Sequence, residues 1–560
     1  MKKLRWQILV VVVTLVVVGA LLFIQRPASV TTILPQPASG GIYTEAIVGS
    51  FGRLNPVLDW TNEADRSVDA LIFSGMIKFN SRGEPQPDLA ESWGVSQDGT
   101  VYNVSLRRNA LWQDGQPVNS DDVLFTLGLL RSQFSPYPAD VRAMWDEVQV
   151  KRLDDYTLQF ILPEPFAPFL DYLSFGLLPK HLLETLPADQ LANSDFNLQP
   201  VGSGPYKLDH LTVESGQVTG AVLVASENYY GQKPYIEQIV FQYYPTSQAA
   251  LDAYNQGEVL GISSITPDLV TAACSNTNLN CYTSRQPRLT LILLNLKNDT
   301  VPFLQDKNVR RALLVGLNRQ RMVDTALNGQ GVVADSPLLS GTWAYYNGIS
   351  RVEYDPSLAE NMLKSAGYTL PPDGTVRSKD GVALSFTLLY PDDAVHASLA
   401  MAIQRDWASI GVQVSLQAVP YDSLLNDNLA SHNYQAALIN LNLDRSPDPD
   451  PYPFWHQSEA TGGQNYSQWD NRAASEYLEQ ARVLTDPVVR ARLYRNFQVI
   501  FNKETPAVLL FSPVYTYGVD TRVNGVQLAP IFDISDRFNT ISNWYLLTRR
   551  AVEATQQTTP

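Results

Sequence analysis

Two Asp-Gly dipeptides, Asp98-Gly99 and Asp114-Gly115, punctuate the stretch DLAESWGVSQDGTVYNVSLRRNALWQDGQPVNSDDVLFT (residues 88–126) and set its local path. Asp-Gly accepts the left-handed backbone that tight hairpin turns demand. After the first turn, Tyr102, Val104 and Leu106 alternate with Asn103, Ser105 and Arg107, which predicts a strand buried on one face only. After the second turn, Ser120 is placed to cap a helix whose first turn carries Asp121 and Asp122, where carboxylates suit the helix dipole. Val123, Leu127 and Leu130 form the apolar stripe of that helix. Trp93 and Trp112 flank the turns and are expected to anchor the hairpins to a neighbouring layer. The stretch therefore reads as mixed α/β scaffold rather than as a reactive centre.

The 560 residues are 45% apolar and 10% aromatic, enough for sizeable cores in two to four domains. A net charge of -15 with no segregated basic cluster would repel an extended phosphate backbone, so nucleic acid is not an expected partner. Residues 8–24 are apolar but for Thr14 and Gly19, and Lys2, Lys3 and Arg5 precede them against a lone Arg26 after. That asymmetry keeps the N-terminus in the cytoplasm and the body outside. A run of seventeen residues is at the short limit of a membrane span, so residues 1–26 are expected to be an uncleaved anchor, with a removable signal peptide as the alternative. The first cysteine is Cys274, so lipid attachment behind the apolar run is not expected. Residues 27–41, rich in Pro, Ser, Thr and Gly, are expected to be a flexible linker. Cys274 and Cys281 enclose the polar loop SNTNLN; an oxidising exterior would pair them, and two free buried thiols are the alternative. With no other cysteine and no histidine near them, they cannot make a four-ligand zinc site.

Further along, Asp69–Phe79 reads as a helix, Leu153–Leu162 as a hairpin, and PVGSGPY (200–206) as a structural turn leading into a strand. Val309–Gly331 reads as a helix pair in which Arg310 and Arg311 are expected to form surface ion pairs. Residues 384–418 follow a strand, helix, strand order. The succession AESW, SQDG, an alternating strand ending in LR, WQDGQPV and DDVLFT is joined by Leu54-Asn55-Pro56, NYYGQKP (228–234) and YDPSLAENMLKSAGY (354–368). In that order and spacing these motifs closely resemble the family 5 extracytoplasmic solute-binding proteins, the peptide, dipeptide and nickel receptors of ABC importers.

The resemblance spans residues 42–548 and implies an α/β fold of the two-lobe periplasmic binding protein type II, with an inserted subdomain in lobe one. It places lobe one at 42–290 with the insert at 81–202, lobe two at 291–515, a return to lobe one at 516–548 and a tail at 549–560, the lobes joined by two crossing strands. The implied function is capture of a small solute, a peptide first, in the cleft between the lobes, and delivery to permease and ATPase subunits. The receptor would be a monomer without a cofactor, at the outer face of the cytoplasmic membrane, or periplasmic if cleaved. A metal chelate or a sugar is the alternative solute.

The strand Tyr434–Leu443 is implied to end at the cleft floor, which nominates Asn440 and Asn442 and, beyond them, Asp444 or Asp448 as partner of a peptide α-ammonium. Asp444 is preferred because Asp448 lies in a proline run that fixes turn geometry. Relatives often carry a tryptophan where Asn440, Leu441 and Asn442 stand. Asn55 is implied near the cleft mouth, or is a turn former ahead of Pro56. Trp343, Tyr345 and Tyr346 lie in an irregular segment and would face the ligand or cover the core. Catalysis finds little support: the prolines around Asp448-Pro449-Asp450 send the two carboxylates apart, and the five histidines show neither metalloprotease nor nucleophile-elbow spacing. Asp444, Asp448 and Asp450 lack the glycine that a calcium loop needs at its sharp bend. A membrane-anchored hydrolase is the second functional reading, and a scaffold protein of the outer face the third.

Overall fold

Strand Ala507–Asp520 runs AVLLFSPVYTYGVD for fourteen residues, buried at all but two positions. A run this long and apolar must be covered on both faces, and it is shared between two sheets. The computed structural model describes residues 2–24 and 32–553. In it the first half of the long strand pairs antiparallel with Arg288–Leu294 and the second half with Leu279–Arg285. The chain thus crosses between lobes through 279–294 and returns through 507–520.

On the lobe-one side, the order continues through Gly261–Ile262, Ile42–Val48, Gln238–Tyr244, Gln217–Ala225 and Tyr206–Glu214. On the lobe-two side, Arg288–Leu294 is followed by Ala436–Asn442, Ser385–Pro391 and Gln413–Val419, the last two parallel and linked by helix Ala394–Ser409. Separate apolar cores cover the two faces of the lobe-two sheet.

The insert is an antiparallel sheet in the order Ala90–Val95, Val101–Leu106, Thr157–Ile161, Gln149–Asp154, with helix Ser120–Arg131 beside it. Gly99 and Gly115 sit at φ +73 and +91, as the two hairpin turns require. The helix is capped one residue earlier than the sequence suggests. Asn119 is extended, its side chain accepts from Asp121 N, and Asp122 Oδ2 accepts from Asn119 N, whereas Ser120 is buried inside the first turn. Trp112 Nε1 donates to the same Asp122 carboxylate, which ties the second turn to the helix.

Three other expectations change. The helix expected at 69–79 is Glu63–Ile72, started by the Asn62 cap, and the chain re-emerges as strand Ile77–Phe79. Arg310 is not a surface ion-pair former: it is buried and donates to the carbonyls of Leu304, Gln305, Glu504 and Thr505. Within the expected linker, residues 32–38 pair as a strand with Leu547–Glu553, a partner that local composition could not reveal. Residues 27–31 of that linker, residues 25–26 of the anchor and residues 554–560 of the tail lie outside the described residues. Cys274 and Cys281 form a disulfide tying helix Val270–Cys274 to strand Leu279–Arg285.

Residues 2–24 form one helix whose large apolar side chains from Ile8 to Leu21 are exposed. Among the described residues, no helix is long and apolar enough to cross a membrane.

Candidate functional site

Between the lobes lies a cleft of about 1070 Å³. Lobe one supplies Asp59, Trp60, helix residues Arg66 and Asp69, and the segment 532–543; the insert supplies Tyr137, Phe166, Asp171 and Tyr172; lobe two supplies residues 441–451.

The lobe-two wall is built by the chain leaving strand Ala436–Asn442. Arg445, at φ +59, reaches across to lobe one. Its Nη2 donates to Asp59 Oδ1 at 3.0 Å, its Nε lies 3.5 Å from Asp533 Oδ2, and its guanidinium stands 4.6 Å from the centre of the Trp60 ring. Arg66 Nε donates to the same Asp533 oxygen at 2.9 Å. Burial pushes Asp533 up, but the guanidinium groups of Arg66 and Arg445 outweigh it and bring the carboxyl down to about 2. Asp59 goes the other way, to about 6, because burial there outweighs Arg445.

Asp448 and Asp444 have separate fates. Arg490 grips both oxygens of Asp448, at 2.5 and 2.8 Å, and the Asp448 backbone N–H donates to Asp171 Oδ2 at 2.9 Å. Asp448 thus borders the cleft but is already committed to holding the loop. Asp444 lines the cleft and forms no ion pair among the described residues; burial raises its carboxyl, and its backbone N–H donates to Asn442 Oδ1. Asn442 also lines the cleft.

The remaining sequence candidates stand elsewhere. Asn55 is fully buried beneath the site: its side chain donates to Asn197 Oδ1 at 2.9 Å and accepts from Val57 N, and its own N–H donates to Asp69 Oδ2. It is the turn former rather than a mouth residue. Asn440 accepts from Thr290 Oγ1 across the neighbouring strand and is not in the cleft lining. Trp343 packs against Tyr494, beneath Arg490, and covers the lobe-two core; Tyr346 lies under Arg495; and neither these rings nor Tyr345 borders the cleft. Sequence reasoning missed Asp59, Asp69, Arg445 and Asp533. One signal was available for Asp69: a carboxylate on the apolar side of a short amphipathic helix demands a reason. Among the described residues no three His, Cys, Asp or Glu side chains group as metal ligands.

The profile of the bacterial extracellular solute-binding proteins, family 5 Middle, matches residues 84–464. The oligopeptide-binding protein AppA of Bacillus subtilis is 27% identical over 521 residues, 91% of this chain and 92% of that protein. The nickel-binding periplasmic protein of Escherichia coli is 30% identical over 377 residues, 65% of this chain and 68% of that protein. The structure of Bacillus subtilis AppA in complex with a nonapeptide superimposes with a TM-score of 0.66 at 25% identity, covering 91% of this chain and 100% of that one. With the profile covering well over half of its length, the chain belongs to the family 5 bacterial extracellular solute-binding proteins.

Proposed function

We propose that the protein is the extracytoplasmic receptor of an ABC importer, that it captures a peptide in the interlobe cleft, and that Asp444 receives the peptide's α-ammonium. The observation that carries this reading is the Asp444 carboxylate in the cleft wall, which forms no ion pair among the described residues and stands next to an Asp448 held by Arg490. Relatives named for oligopeptide and dipeptide binding support the solute class. A charge-assisted hydrogen bond between enclosed partners is worth roughly 1.5–3 kcal/mol, so Asp444→Asn weakens binding by about tenfold to a few hundredfold. Calorimetric titration of the parent and variant with free and N-acetylated forms of the same peptides tests it. Equal affinities in all four pairings defeat the assignment. The bound peptide is recovered intact, since the receptor does no chemistry; cleavage products would favour a hydrolase instead.

The body acts as a monomer and hands its solute to permease and ATPase subunits, the lobes closing on the ligand as a hinge. Residues 1–26 stay attached and hold it at the outer face of the cytoplasmic membrane, a reading supported by the basic flank and the exposed apolar side chains of helix 2–24 and opposed by the finding that no described helix is long and apolar enough to cross a membrane. The intact mass of native protein decides this, and a mature N-terminus beyond Arg26 refutes the anchor. Light scattering that gives a dimer mass refutes the monomer.

A further inference from the structure

We infer that the solute carries a second cationic group, a primary ammonium or a guanidinium besides the one facing Asp444, and that Asp69 in the cleft wall is its counter-charge. This rests on the receptor reading above.

The argument begins with charge. Twelve aspartate and glutamate side chains line the cleft against five arginines and lysines. Two of the cleft's guanidinium groups are already engaged: Arg66 of lobe one with Asp533, and Arg445 of lobe two with Asp59 and Asp533. Asp536 is satisfied without a cation, accepting from the backbone N–H groups of Phe532 and Asp533 and from the Asn539 side chain. Asp69 is different. It lines the cleft, is 2% exposed, and has one oxygen, Oδ2, bonded to Asn55 N, while Oδ1 has no hydrogen-bond partner among the described residues. A buried carboxylate oxygen without a donor is disfavoured. Burial, with Asp59 and Asp65 close by, also drives the Asp69 carboxyl well up. A cation brought in by the solute reverses each of these penalties at once, because opposite charge and N–H donors both favour the ionised carboxylate. An acidic or neutral solute does neither.

The required chemistry occurs in a lysine or arginine side chain of a peptide and in a free polyamine, and the test separates the two. Alanine-based tripeptides and nonapeptides with Lys, Gln or Glu at the second residue, and spermidine, are titrated calorimetrically into the full chain and into Asp69→Asn. Asparagine keeps an acceptor for the Asn55 N–H, removes the charge and turns the other oxygen into an NH2 donor. The expected result is a parent that binds the Lys probe at least about tenfold more tightly than the Gln probe, with the Glu probe weakest. In Asp69→Asn the Lys preference collapses while the Gln affinity is retained. The Lys-to-Gln ratio of the parent needs no variant, so the inference stays testable if Asp69→Asn fails to fold. Equal parent affinities for the three peptides overturn the inference and leave the receptor reading standing. A Lys preference that survives Asp69→Asn overturns the assignment to Asp69. Binding of spermidine alone, lost in Asp69→Asn, upholds the second cation and moves the solute out of the peptide class. Binding of none of the probes overturns both readings.

Discussion

Arg445 is where the two lobes hold each other electrostatically, and its removal is the most informative perturbation. Its main bond, to Asp59, is charge-assisted at 3.0 Å with Asp59 nearly buried, and the Trp60 face adds a cation–π contact. One such hydrogen bond is worth about 1.5–3 kcal/mol and the stacking about 0.5–1 kcal/mol, part of which water restores once the lobes separate. Arg445→Met, which keeps bulk and loses charge, should therefore shift the closed form against the open one by about 2 kcal/mol, or roughly thirtyfold. Small-angle scattering of the ligand-free variant is expected to show a larger radius of gyration, and solute affinity to fall by up to the same factor. A second readout follows from Asp59, whose carboxyl stands at about 6 in the parent. As Asp59 protonates the bond weakens in the parent too, so the difference between parent and variant should be smaller at pH 5 than at pH 7.5. Unchanged scattering together with unchanged affinity at both pH values would refute the claim that this pair spans a moving interface.

Stability should depend on pH in an acid-shifted way. Asp59 and Asp536 sit at about 6 when folded, above an unfolded value of roughly 4, so the folded chain binds more protons between those values and loses about 3 kcal/mol per group as pH rises through them. Asp533, at about 2, contributes in the opposite sense, a stabilisation of about 2 kcal/mol present above pH 4 and lost only below it. Thermal melts of the ligand-free protein should thus give a higher Tm at pH 5 than at pH 7.5, and Asp536→Asn should reduce that difference; a Tm that rises over this interval in both proteins refutes the account. The Cys274–Cys281 disulfide closes a loop with a sequence separation of 7. Loop entropy assigns it about 2.5 kcal/mol, so Cys274→Ser with Cys281→Ser should lower Tm by a few degrees, and an unchanged melt would show that the reduced loop is already ordered.

What could be read from sequence follows the range of the interactions involved. The turns at Gly99 and Gly115 and the alternating strand after the first are set by neighbours within a few residues, and they stand where the dipeptides place them. The cap of helix Ser120–Arg131 lies one residue from the expected Ser120, because Asn119 competes with its polar neighbours and only backbone conformation decides, whereas the helix expected from Asp69 starts six residues earlier, at Glu63 behind the Asn62 cap. Long-range pairings were out of reach. The 32–38 strand needs Leu547–Glu553, Arg310 needs the carbonyls of Glu504 and Thr505, and Asn55 needs Asn197.

The separation of Asp444 from Asp448 depends on both ranges of information. Local chemistry places both carboxylates just past the same strand, and the prolines beside Asp448 argue for a fixed loop, yet a proline cannot neutralise a charge. That is done by Arg490, on helix Pro487–Glu504, which also donates to Tyr494 and to the carbonyl of Ala481 and so cannot follow a ligand. A guanidinium fixed by three partners fixes in turn the carboxylate it holds. Asp448 is thereby removed from the set of groups that can answer a solute's charge, and the same reasoning removes Asp533, held by Arg66 and Arg445. The carboxylates left without such a partner in the cleft wall include Asp444 on one lobe and Asp69 on the other. A ligand that engages both gains affinity only when the lobes close, which is the differential contact a hinge receptor needs if solute is to shift its equilibrium.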